Sequence, residues 1–137
     1  MAQEVVATFA GPLGSFSVNL TINNGSSAQV QSVGISGRTA KFPVTWDSMG
    51  SFAGPATLTS TVGVNTEVVI ANFSGFAPGE QVSFTGIDPD FTGAPSAGVR
   101  VLDLAGARAY ALFSDGTTAF GEFEATTAGT LRAVMAK

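Results

Sequence analysis

The chain has 137 residues, enough for one domain with a sizeable core, and it holds neither cysteine nor histidine. Disulfide and thiolate chemistry are thereby excluded, and with them the commonest general base and metal ligand. Charged residues are 12% of the chain and the formal net charge is -4, the reverse of the basic footprint that a phosphate backbone selects, so nucleic acid is not an expected partner.

Residues 4–9 open the chain with an extended, weakly alternating pattern. Strand periodicity is clearest at 15–22, where Phe16, Val18, Leu20 and Ile22 alternate with Ser15, Ser17, Asn19 and Thr21. The turn-forming cluster 23–27 follows, and 28–35 resumes a strand whose phase slips between Val30 and Val33, as a bulge at Gln31 or Ser32 would cause. Residues 36–56 are irregular, with Pro43, Gly50, Gly54 and Pro55 around the only tryptophan, Trp46, and read as a long loop or short edge strand.

Further strands are predicted at 57–62, 67–73, 81–87, 99–104, 107–114, 117–125 and 130–136, most of them separated by Gly, Pro, Asn or Asp. The stretch 104–113 is alanine-rich enough for a helix to compete. Gly106 interrupts it and Asp115-Gly116 ends it as a tight hairpin would, which favours a strand. Many short strands without a convincing helix predict an all-β, antiparallel β-sandwich or jelly roll over residues 1–137 as a single domain. Phe16, Val18, Leu20, Val82, Phe84 and Phe113 are its expected core. The termini, 4–9 and 130–136, carry few of the charges that block a sheet edge, and predict contact with a protein partner or a second copy through sheet edges.

Chemical equipment is sparse. Glu122 and Glu124 sit two apart on one predicted strand, a spacing that some glycosidases use, but no third acidic or aromatic element gathers beside them in sequence and a solvated strand face is the preferred reading. No catalytic residue is assigned and the chain is read as a non-enzyme. Asp88 and Asp90 flank Pro89 in what reads as a flexible acidic loop after the strand 81–87 and are the candidate calcium ligands, with Asp103 and Asp115 as residues that folding could add. The chain holds 11 Phe but one Trp and one Tyr. Since flat, polar-edged rings suit a wet binding surface, Trp46 and Tyr110 are the candidate ligand-binding residues, with burial the competing reading for Trp46. Asn19, Asn24 and Asn72 each begin a glycosylation acceptor pattern. The longest apolar run, 68–71, is far short of the ~18 residues of a membrane span. No signal peptide follows Met1, so the protein is either made in the cytoplasm or stripped of its signal.

Between residues 67 and 124, Phe76-Ala77-Pro78-Gly79-Glu80, Phe84, Asp88-Pro89-Asp90, Leu104-Ala105-Gly106-Ala107 and Phe113-Ser114-Asp115-Gly116-Thr117 resemble an accessory β-sandwich module of large secreted bacterial proteins, of the kind found near malectin-like or haemolysin-type segments. The resemblance implies an extracellular or cell-surface, non-catalytic binding or structural module, with glycan or calcium as its implied contacts. The alternative is a viral structural protein, a capsid decoration or tail component of a virion, made with its own Met1.

Overall fold

The computed structural model describes residues 4–11, 18–92 and 99–136. Its strands are β1 (Glu4–Ala10), β2 (Val18–Asn24), β3 (Val30–Ser36), β4 (Val44–Ser48), β5 (Ser51–Ala53), β6 (Thr57–Val62), β7 (Val68–Phe76), β8 (Gln81–Phe91), β9 (Arg108–Phe113), β10 (Thr118–Glu122), β11 (Glu124–Ala125) and β12 (Leu131–Ala136). All described pairings are antiparallel, in the order β4-β8-β2-β1-β12-β10-β9-β3-β7-β6, with β11 on β12 and β5 on β8. The all-β expectation therefore holds. The ladder is a single sheet curled into a half-barrel, in place of the two layers that define a sandwich or jelly roll.

Alternation dictates which side each residue takes. In β1, Val5, Ala7 and Phe9 are buried while their neighbours stay half-exposed. Val18 and Leu20 on β2, Val82 and Phe84 on β8, and Phe113 on β9 are buried in the one core cluster, as anticipated. Phe16 lies outside the described residues. Trp46 stacks on Phe9 with ring centroids 5.9 Å apart, and Phe9 meets Phe123 at 4.6 Å. Phe52 on β5 packs against Phe84 at 5.3 Å and against Phe73 on β7 at 6.0 Å. The Phe52–Phe73 contact joins β5 to β7 across the curl, where the Trp46 backbone N–H also bonds the Thr66 carbonyl at 3.0 Å and the Asn65 N–H the Trp46 carbonyl at 2.7 Å.

The terminal strands, expected at sheet edges and so at a partner contact, lie inside the sheet. β1 pairs with β12 along Glu4↔Ala136 to Phe9↔Leu131 and with β2 on its other side. Both terminal strands are thus interior to the sheet, and its margins are β4 with β5 at one side and β6 at the other. β4 and β5 together follow β8 from Val44↔Phe91 to Ala53↔Ser83. Between them Gly50 adopts φ 68°, and a Cβ there would stand 2.0 Å from the Thr85 carbonyl oxygen. Only glycine admits so close an approach in that conformation.

Three local expectations need correction. Residues 99–104 do not form a strand, because Val101–Leu104 winds as a 3-10 turn in which Asp103 Oδ2 accepts the Arg100 N–H at 2.9 Å. The strand foreseen at 117–125 breaks at Phe123, whose N–H bonds the Ala107 carbonyl as its ring enters the core. Asp88-Pro89-Asp90 is strand, not loop: β8 runs on through it, with Pro89 opposite Trp46. Pro89 lies beyond the last described β2 rung, Val18↔Ile87, so its missing N–H breaks none of them. The foreseen bulge in β3 is present, since both ladders of β3 shift register between Val30 and Ser32.

Candidate functional site

On β9 two large side chains, Tyr110 and Leu112, face out while alanines face in. Ala109, Ala111 and Phe113 are buried, while Tyr110 is 42% exposed and Leu112 37%. β10 repeats this inversion, with Ala119 inside and Phe120 outside at 69% exposure. Register then lines these residues up across five strands: Val62 on β6 faces Ile70 on β7, Ile70 faces Gly34 on β3, Gly34 faces Tyr110, and Tyr110 faces Phe120. Gly34, having no side chain, makes a dip between Ile70 and the Tyr110 ring. The result is an open trough of about 360 Å³, floored by Ser32 and Gly34 and walled by Ile70, Tyr110, Leu112 and Phe120. Contiguous exposed apolar groups of this kind mark interaction surfaces more often than ordinary solvent-facing sheet.

Of the two candidate ligand-binding residues, Tyr110 lies on this trough and Trp46 does not. Trp46 is wholly buried and its indole N–H donates to the Glu67 carbonyl at 2.9 Å, so neither ring face is open to a ligand. Phe120 was missed because phenylalanine ordinarily belongs to the core. The signal that could have found it is the small residues flanking each outward ring, Ala109 and Ala111 around Tyr110 and Ala119 and Gly121 around Phe120, which leave the strand with its bulk on one face.

Asp88 and Asp90 are both exposed on the outer face of β8. Asp47 joins them from the irregular register between Trp46 and Ser48 on β4. Its carboxyl is held above the ordinary aspartate value of 3.8, first by a hydrogen bond with Asp90, then by partial desolvation, then by the charges of Asp90 and Asp88. Among the described residues, no group of three or more acids is disposed to hold a metal ion. Asp103 and Asp115 serve local turns. Asp115 Oδ1 accepts the Thr117 N–H at 2.9 Å and its hydroxyl at 2.6 Å.

Glu122 and Glu124 flank a second, polar depression with Arg132. Each acid has an arginine opposite it in register, Arg108 for Glu122 and Arg132 for Glu124. Alternating charges across strands are what a solvated sheet face requires. All three acceptor-pattern asparagines have their amides engaged: Asn19 accepts the Gly86 N–H at 3.0 Å, Asn72 donates to Ser60 Oγ at 3.0 Å, and Asn24 is 1% exposed.

Among the described residues no helix is long and apolar enough to cross a membrane. Comparison of the chain with protein-family models, with curated proteins and with solved structures finds no match in any of the three.

Proposed function

We propose that this domain is a non-catalytic binding or structural module of a secreted or cell-surface protein, and that it works through the outer face of its sheet. The observation that carries this reading is the apolar row Val62, Ile70, Tyr110 and Phe120, set in register and held in water. Keeping a phenylalanine 69% exposed forgoes the burial that the same ring would gain on docking. The nearly uncharged first half of the chain and the turn residues shared with secreted modules support an extracellular setting. Neither calcium nor a glycan is needed for the reading.

Hydroxyl-radical footprinting of the protein isolated from its own source tests it. The expected result is recovery in a complex with Tyr110 and Phe120 shielded, and release of a Phe120→Ser chain as a folded, free protein. A native protein that elutes as a monomer with both rings fully labelled would remove the basis for the proposal.

A further inference from the structure

β6 ends the sheet, and among the described residues its backbone bonds to β7 alone. It is exposed on both faces: only Leu58 and Thr61 are even half-buried. A margin of this kind presents a row of unpaired N–H and C=O groups, which proteins usually guard with lysine, proline, charge or a bulge. Here Thr57–Val62 is Thr-Leu-Thr-Ser-Thr-Val, with high strand propensity, and residues 48–66 contain no charged side chain. One guard is present, the irregularity between Leu58 and Ser60, where the Thr59 hydroxyl donates to the Asn72 carbonyl at 3.1 Å.

We infer that β6 pairs antiparallel with β6 of a second copy, extending the curled sheet across a two-fold axis. The inference rests on reading the domain as an interaction module, though it shares only Val62 with the apolar row. The missing charge selects the partner. An identical strand always meets its own charges, so a chain that carries its acids elsewhere and leaves this margin neutral is one that can meet itself. A register centred on Thr59 and Ser60 sets those two residues opposite one another, with Leu58 facing Thr61 and Thr57 facing Val62, pairings that a sheet accepts without opposing charges. Six residues bury far less than the roughly 800 Å² per partner of a stable interface, so the pairing is weak and appears at high local concentration.

Sedimentation velocity from about 10 µM to 1 mM, with amide exchange followed by NMR over the same range, is the test. The expected result is an apparent mass that rises with concentration, while the outward amides of 57–62 slow and those of 118–122 do not. Thr57→Lys and Ser60→Lys, both at exposed positions, should each weaken association roughly fivefold to tenfold, with added salt restoring part of it. A protein that stays monomeric at the top of the range overturns the inference, as do β6 amides already protected in the monomer, which would mean that the margin is covered within its own chain. Association abolished by Phe120→Ser and untouched by either lysine would overturn the edge pairing and leave the reading of the outer face standing.

Discussion

Asn24 shows how one buried polar residue fastens three segments. Its Nδ2 donates to the Ala28 carbonyl at 2.9 Å and to the Phe76 carbonyl at 3.1 Å, and its Oδ1 accepts the Ser26 hydroxyl at 2.6 Å and N–H at 3.1 Å. Its own N–H bonds the Glu80 carbonyl, and its carbonyl takes the Gly79 N–H. Truncation to alanine removes a partner from the buried Phe76 carbonyl, from the part-buried Ala28 carbonyl and from the Ser26 N–H and hydroxyl. Asn24→Ala should therefore cost about 2 to 3 kcal/mol in chemical denaturation. The acceptor pattern at this position was legible in the sequence, but its role was not, because Phe76 and Glu80 lie more than 50 residues away. Asp47 carries a prediction of the opposite sign. Its folded pKa is raised, so its contribution to stability is fully present below the ordinary carboxylate range and is lost as pH rises through the elevated value. Asp47→Asn should accordingly be the more stable protein at neutral pH and low salt, and its melting temperature should fall less than the parent's as pH rises from acid to neutral. Parallel melting curves for the two proteins across that range would count against the carboxyl pairing.

At the scale of elements, turns were the most readable part of the chain. The tip at Asp115-Gly116 forms as foreseen: the Gly116 N–H bonds the Phe113 carbonyl at 3.0 Å, and Phe113 and Thr117 close a three-residue loop with Gly116 at φ 85°. Gly50 also has positive φ, yet nothing in its neighbourhood in sequence distinguishes it from a loop glycine. The difference is what surrounds each. A Cβ at Gly116 meets nothing within 4 Å, whereas at Gly50 it meets the β8 backbone. Gly116→Ala should cost about 1 kcal/mol, the strain of a left-handed residue. Gly50→Ala adds a backbone clash and should cost about 3 kcal/mol or more, loosening β5 from β8. Thermal melts of the two single variants compare them directly, and equal losses would mean that β4 and β5 are free to shift. The acidic run at 88–90 was misread for a related reason: proline suggests a loop until the missing rung is known to have no partner.

For the whole molecule the consequential fact is that both chain ends are central. β1 supplies rungs to β2 and β12 and buries Val5, Ala7 and Phe9, the last of which stacks between Trp46 and Phe123. Deleting residues 1–9 should unfold the domain outright, seen as loss of the cooperative melt. A folded truncated chain would show that the remaining strands close without it. Alternation of apolar and polar residues, read over a few positions, determined that the protein is all-β, where most strands and turns fall, and that Phe84 shares a face with Val82 and Phe113 with Ala111, because the two-residue period of a strand is a local property of the backbone. Strand order, the curl of one sheet in place of two layers, the burial of Trp46 and the outward setting of Tyr110 and Phe120 were decided only by tertiary structure. Each depends on which distant strands pair, and a two-residue period separates two faces without saying which of them meets the core.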